Sequence, residues 1–351
     1  MSSGSPTHTR STIAQVAREV GVSKSTVSHA FSGRRYVSES VKARVFAAAR
    51  RLNYRPYYAA QVLAHRRTRT IGVVIRELAG DFTLRQLEAV ARAADARGYR
   101  VTLGFAGNHD RKVREHLESF ASGQADGVLV LTAAVSDELI REFAERGCVL
   151  ATPMRVIEGA EDLCPVRVEI AEAFGSLLEH LYQLGHRRFG FVCGQVREVR
   201  DRYDRLRRFV DEKGLELDDH CVVTGLDSVE EGDAAAGRLL ERQSGITALV
   251  CSNDNLAVGV LTAARRMGLA VPDDLTVTGC DDVPIGRYCT PRLTTIRLPI
   301  AQISEAAVNH LIDRIEGADR PIIVRIRPEL LIRESSAPPP SPAKVLISGE
   351  Q

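Results

Sequence analysis

The sequence predicts an α/β chain with a small helical head and a larger body in which strands alternate with helices. Three observations carry that expectation. Apolar residues recur at helical spacing through residues 11–55. From residue 70 onward, apolar strand-like runs alternate with helical segments, and the alternation restarts near residue 166. Charge divides where the periodicity does: residues 1–69 hold thirteen Lys and Arg against two acids, a balance of +11, and the remainder balances at −9. A basic head on an acidic body reads as an anion-binding module joined to something else.

Composition sets the outer bounds. With 351 residues, 44% hydrophobic and 26% charged, the chain can bury a sizeable core. Its apolar runs fall short of the roughly 18 residues of a membrane span, and "MSSGSPTHTRST" offers no apolar segment for a secretory signal, so a cytoplasmic protein is expected. The seven cysteines (148, 164, 193, 221, 251, 280 and 289) are scattered without a CxxC pair. They are expected as buried reduced thiols, and no metal-ligand spacing is found.

In the head, "STIAQVAREVG" presents Thr12 as N-cap with Gln15 three residues on, a capping box, and Gly21 as the stop. "VSKSTVSHAFSG" offers Ser23 as N-cap of a second helix. A third follows Ser38, with Val41, Val45, Ala48 and Leu52 on one stripe. Two helices joined by a tight "GVS" turn and braced by a third describe a helix-turn-helix unit. Val22, Val27 and Ala30/Phe31 would face its core. That leaves Lys24, Ser25, Thr26, Ser28 and His29 outside, where short hydroxyls reach phosphates and Lys24, Ser25 and His29 reach base edges. Taken alone, the same residues also describe a capped surface helix. After Pro56, Tyr57 to Ala64 form a helix of about two turns, too short to hold without a partner.

The succession "TIAQVAREVGVSKSTVSHAFSG", "VSESVKARVFAAARRLNYRP", "AAQVLA", then "TIGVVI" closely resembles the lactose/galactose/purine repressor family of bacterial transcription regulators. The resemblance runs to about Arg333. It implies a sequence-specific repressor that binds a palindromic DNA operator as a homodimer and answers to a small-molecule effector. By position it implies base reading by Lys24, Ser25 and His29, phosphate contacts by Thr26 and Ser28, and a minor-groove wedge at Leu63. Thr12, Tyr54, Tyr57, Ala60 and Gln61 complete the implied DNA contacts. His29 stands where many members have arginine, and Tyr57 replaces the usual asparagine after the hinge proline.

The body expected from the resemblance is a two-lobed, periplasmic-binding-protein-like sensor with two parallel sheets, built on "TIGVVI", "YRVTLGF", "DGVLVL", "CVLAT", then "VRVEI", "RRFGFVCG", "DHCVV", "TALVCS" and "LTVTG". The expected organisation is a disordered 1–10, a head over 11–55, a hinge over 56–69 and a sensor over 70–333. Within the sensor, the near lobe takes about 70–156 and 288–319, and the far lobe about 160–285 and 320–333. The chain therefore crosses near 156–160, near 286 and near 320. The Ser- and Pro-rich tail 334–351 carries no leucine heptad and is expected to be disordered, which leaves a dimer rather than a tetramer.

For the cleft between lobes, the resemblance implies Arg205 as the effector-clamping arginine and Asp281 as an acid accepting from ligand hydroxyls. Of Asn253 and Asp254, one should face the cleft and the other hold a helix start. "GDFT" replaces the usual "NPFF", so Thr83 sits where an aromatic would stack. Met154 replaces an acid and precedes the retained Arg155, and "VEI" (Glu169, Ile170) replaces "VDN". The ligand classes left open are a sugar, a nucleoside-like compound, or none at all in a degenerate pocket. Neither GxGxxG nor GxxxxGK[ST] occurs, and no cofactor is expected. "GNHD" around His109 reads as a polar turn, and no catalytic set is found. The competing readings are a small-molecule binder with a vestigial head and an enzyme on the two-lobed fold.

Overall fold

The computed structural model describes residues 11–32, 35–54, 67–78, 80–132, 135–195, 199–241, 245–318 and 323–340. The expected hinge helix, with Tyr57, Ala60, Gln61 and Leu63, lies outside the described residues, as do 1–10 and 341–351. Two compact units divide at Thr68/Arg69.

The head contains α1 (Ile13–Val20), α2 (Lys24–Ser32) and α3 (Glu39–Arg51). Thr12 caps α1 as expected: its Oγ1 accepts from Gln15 N at 3.4 Å, and Gln15 Oε1 accepts from Thr12 N at 2.7 Å. Gly21, at φ +73°, takes the left-handed position that ends α1 and donates its N–H to Ala17 O. That turn swings α2 across α1. Val16, Val20, Val27, Ala30, Val45 and Ala48 then close a small core, with Val22 and Phe31 packed at its edge. The Phe31 ring meets Phe46 edge-on at 5.0 Å and Tyr54 at 5.9 Å.

The near lobe of the body holds a parallel sheet in the order β2-β1-β3-β4: β1 (Thr70–Ile75), β2 (Arg100–Phe105), β3 (Gly127–Val130) and β4 (Leu150–Ala151). Helices α4 (Gly80–Ala96), α5 (Asp110–Ser119) and α6 (Asp137–Glu145) connect its strands. Every residue of β1 is buried, as a central parallel strand covered on both faces requires.

From there β5 (Val166–Val168) carries the chain into α7 (Ile170–Gln183) and the far lobe. This lobe alternates β6 (Phe189–Val192), α8 (Arg200–Glu212), β7 (Val222–Val223), α9 (Val229–Glu241), β8 (Ala248–Cys251), α10 (Asp254–Arg266), β9 (Thr276–Asp281), α11 (Pro284–Tyr288) and β10 (Thr294–Arg297). Then α12 (Ile300–Glu316) returns to the near lobe, where Ile303, Val308 and Leu311 pack with Ile71 and Val73. The chain comes back through β11 (Val324–Ile326), parallel to β5, and ends the far sheet with β12 (Glu329–Leu331), antiparallel to β10. The far sheet runs β12-β10-β9-β8-β6-β7.

The crossings fall later than expected. Ile157 and Leu163 still belong to the near-lobe core, so the first crossing is on β5 and not at 156–160. The second is not near 286, because β10 pairs in parallel with β9 and keeps 294–297 in the far sheet. The third lies between β11 and β12 rather than near 320. These strands were hidden because they are three or four residues long, and β10 carries two threonines at fully buried positions.

The expected disorder of 334–351 is also corrected, for 334–340. Ser335 Oγ accepts from Thr294 N at 2.8 Å and donates to Val277 O at 2.5 Å, and Val277 N donates to Ser335 O at 2.9 Å. His186 Nε2 donates to Ala337 O at 2.9 Å, with its Nδ1 against Thr247 Oγ1 at 2.8 Å. Proline removes donors from this segment, yet buried threonines and a histidine supply partners for its carbonyls and remaining amides.

All seven cysteines are free thiols, five of them buried. Among the described residues, no helix is long and apolar enough to cross a membrane.

Candidate nucleic-acid interface and ligand cleft

Helix α2 presents its polar residues at its amino end. Ser23 Oγ accepts from Thr26 N at 3.0 Å and lies 2.7 Å from Ser25 Oγ and 2.8 Å from Thr26 Oγ1. Lys24 and Ser25 are exposed, and Thr26, Ser28 and His29 are half-buried beside the buried Val27 and Ala30. His29 Nδ1 is buried without a partner among the described residues, which leaves Nε2 as the ring atom able to reach outward. A lysine and a cluster of hydroxyls at a helix start suit a phosphate chain, and an α-helix such as α2 fits the major groove.

Thr12 is exposed while it caps α1. Tyr54 is half-buried with its ring on Phe31, and burial raises its hydroxyl pKa, so packing already uses much of it. The sequence reading passed over Tyr36, which is 93% exposed just before α3 and is the most exposed large apolar side chain among the described residues.

In the body, the carboxyl ends of β1, β3, β8 and β9 open on one cleft, the usual ligand position in open α/β sheets. Two contiguous cavities occupy it, of about 220 Å³ and about 730 Å³, and both are lined by Phe82, Gln86, Leu131 and Thr132. Thr83, Asn253 and Asp281 line the smaller, and Met154 and Arg155 line the larger. Asn253 does both tasks the sequence divided between neighbours. Its Oδ1 caps α10 by accepting from Leu256 N at 2.8 Å, and its Nδ2 donates to Asp227 Oδ1 at 2.9 Å. Gly232 and Gly259 make that junction possible, since a Cβ on Gly259 would stand 2.1 Å from Val229 O where α9 and α10 cross.

Arg205 is not among the residues lining either of these two cavities. It lies over the Phe209 ring, 5.6 Å from the centroid, reaches Glu212 at 3.4 Å, and fills the space beside Gly175 on α7. The arginine that turns toward the strand ends is Arg202, whose Nη1 donates to Ser252 O at 3.3 Å and lies 3.6 Å from Cys280 Sγ.

Two adjacent acids end β9 in the left-handed backbone region, Asp281 at φ +109° and Asp282 at φ +54°, and Met154 shares that strain at φ +66°. Burial, then the nearby Asp254 carboxyl, pushes the Asp281 pKa well up against the pull of Arg202. When protonated, Asp281 can donate as well as accept. Asp254 is fully buried, accepting from Val283 N at 2.8 Å and Thr295 Oγ1 at 2.6 Å, and burial pushes its pKa up to about 7. Asp282 goes the other way. Burial would raise it, but Arg287, Arg333 and Arg297 together outweigh burial and hold it below the ordinary value. Their shortest contacts to it are 2.7, 2.5 and 2.9 Å.

The lobes also touch directly. Arg76, after β1, pairs with Asp227 of the far lobe, and Arg85 of α4 donates to Asp282 O at 3.3 Å. Among the described residues, no group of three or more His, Cys, Asp or Glu is placed to hold a metal. The thiols near the strand ends are buried, with Cys193 pushed up to about 12, which keeps them from acting as thiolates.

Residues 12–57 match the model for bacterial regulatory proteins of the lacI family, and 178–336 match the periplasmic binding protein-like domain. The chain is 30% identical over 332 residues to the HTH-type transcriptional repressor PurR of Haemophilus influenzae (strain PittEE), covering 92% of this chain and 98% of that protein. To PurR of Serratia proteamaculans (strain 568) it is 32% identical over 336 residues, covering 94% and 98%. Its structure is similar to that of the lac repressor dimer bound to operator and the anti-inducer ONPF, with a TM-score of 0.81 at 22% identity over 93% of this chain and 99% of that one. It is also similar to the transcriptional regulator CelR in complex with cellobiose, with a TM-score of 0.68 at 27% identity over 93% and 100%.

Proposed function

The chain belongs to the lacI family of bacterial regulatory proteins, and from that premise we propose that it is a cytoplasmic homodimeric repressor that binds a palindromic DNA operator and is controlled by a small molecule held in the interlobe cleft. The observation that carries the DNA half is α2. Lys24 and Ser25 stand exposed and, among the described residues, unpaired with any acid at the start of a helix that Val27 and Ala30 anchor to a core. The cleft supports the other half: two cavities between the lobes are lined by polar groups from both. The hinge residues Tyr57, Ala60, Gln61 and Leu63 belong to the proposal through the family resemblance, with Leu63 opening a base step in the minor groove.

The test is selection of bound sequences from a random DNA pool by the full chain. A two-fold symmetric site is expected. Lys24→Ala should relax preference at one symmetric pair of positions, with a discrimination loss of about 1–3 kcal/mol. A pool that stays unenriched would sink the operator-binding reading, and an unaltered Lys24→Ala motif would remove Lys24 from base reading.

A further inference from the structure

The larger cavity holds more charge than its own ion pairs use. Of its lining acids, Asp137 pairs with Arg155, Glu169 with Arg325 and Arg327, and Glu138 with Arg141. Among the described residues, Arg167 and Arg200 have no acidic partner, and Asp201 is the one lining acid left over. Arg167 lies on the crossover strand β5, and its Nε is buried with no hydrogen-bond acceptor among the described residues. Glu161 senses its charge but accepts from Gly159 N at 3.0 Å instead. Arg200 is the first residue of α8, where the helix dipole disfavours a cation, so this placement gains nothing from the helix itself. Gln86 lines both cavities, is only 6% exposed, and makes no side-chain hydrogen bond among the described residues. The Arg167 guanidinium carries one buried nitrogen without a partner, and Gln86 lines the same cavity with an amide that makes no side-chain hydrogen bond among the described residues, so both have donors to give to a ligand.

The opposite end of the cleft has the reverse character. Asp281, Asp227 and Glu77 line the smaller cavity against the single lining cation Arg76, which Asp227 and Glu77 both pair. Phe82 supplies an apolar wall common to both cavities.

Resting on the reading of this cleft as the effector site, we propose that its ligand is a hydroxylated compound carrying an oxyanion, carboxylate or phosphate. Arg167 and Arg200 grip the oxyanion, while the hydroxyls reach Gln86 and Asp281. The guanidinium fork matches the oxygens of either anion, and the acidic end excludes a second anion.

Calorimetric titration of the full chain with sugar acids, sugar phosphates, their neutral parent sugars and inorganic phosphate tests this. At least one hydroxylated anion should bind about tenfold or more tightly than its neutral parent. Arg167→Gln and Arg200→Gln should each remove about tenfold of that preference. Arg200 sits in an α8 first turn where no ion pair is lost, so its variant keeps the test sound if Arg167→Gln misfolds. Which anionic series binds distinguishes carboxylate from phosphate. A neutral sugar that binds as tightly as its anionic counterpart overturns the proposal, as does anion binding that survives both substitutions or a panel in which no anion binds. Operator titration of the same samples separates the two readings. Anion binding without a change in operator affinity would sink effector control and leave the ligand class standing, whereas a response to a neutral sugar alone would do the reverse.

Discussion

The head and the far lobe handle polar groups in opposite ways. On α2 the side chains proposed to meet DNA are set on one short helix, exposed or half-buried, and among the described residues a hydroxyl cluster is the contact they make with one another. At the end of β9 the backbone is strained and the network behind the cleft is buried and paired: Asp281 and Asp282 sit at positive φ, and the buried Asp282 answers three arginines. A surface that must meet a polyanion stays unpaired and lets the partner neutralise it. A cleft that must hold a small molecule in one pose is braced by buried networks behind it, at a cost in desolvation. The head's chemistry is therefore separable from its stability, and the far lobe's is not.

Removing the hub of the buried network should have the largest effect. Asp282→Asn leaves Arg287 and Arg333 converging without a counter-charge and Arg297 with Glu329 alone. The loss should be about 3 kcal/mol, toward the low end for a broken buried pair because Arg287 and Arg297 are nearly half exposed and can rehydrate. Chemical denaturation should show the body unfolding at lower denaturant while Lys24-dependent DNA selectivity is retained at moderate temperature. Equal stability to wild type would mean that the network is ornamental. The carboxylate's pKa is depressed in the folded state, so the stability it contributes is present above its unfolded pKa and is lost as pH falls through the folded one.

Asp254 should show the opposite sign. Its folded pKa of about 7 lies above the ordinary 3.8, so its contribution is fully present below the unfolded value and is lost as pH rises from about 4 to 7. Asp254→Asn keeps an acceptor for Val283 N and can donate to Thr295, and it carries no charge to desolvate. The variant should be more stable than wild type at pH 8, by about 1–2 kcal/mol, and should lose that advantage at pH 5. Thermal melts across that range measure it. Parallel pH profiles for the two proteins would show that Asp254 titrates normally.

The same contrast explains what could be read in advance. The head was legible because its site is local: one capping box, one left-handed glycine and one apolar stripe place Lys24 through His29 within a few residues. The parallel strands of both lobes were legible as apolar runs. What stayed hidden depends on partners distant in sequence. Strand β10 looks polar because its threonines face buried partners, Asp254 among them. The segment 334–340 looks disordered because its partners, His186, Thr276 and Thr294, lie 40 or more residues away. Phe82 was overlooked beside Thr83, although it restores an aromatic to the cleft one residue earlier.

Arg205 stands apart for a different reason, and it yields the smallest predicted effect. On α8 the buried residues Leu206, Phe209 and Val210 define the direction of the sheet. At 100° per residue, position 202 falls within about 40° of that direction, whereas position 205 is about a quarter-turn away. Phase therefore sends Arg202 to the strand ends, at Ser252 O and Cys280, and lays Arg205 along α7 and Phe209. Motif register alone does not separate arginines three residues apart that occupy different faces of α8. Arg205→Ala should cost the body less than about 1 kcal/mol, from lost stem packing. It should leave ligand affinity and operator response at wild-type values. Arg202→Ala removes the donor to Ser252 O and the cation near Asp281; because Arg202 braces the strand ends without lining either cavity, it should weaken ligand binding indirectly, by a few-fold, together with a loss of stability of about 1 kcal/mol. Calorimetry on both variants decides between them. If Arg205→Ala abolishes ligand binding while Arg202→Ala spares it, α8 is rotated by a quarter-turn relative to this account, and the contrast between an open head and a braced cleft has to be rebuilt around Arg205.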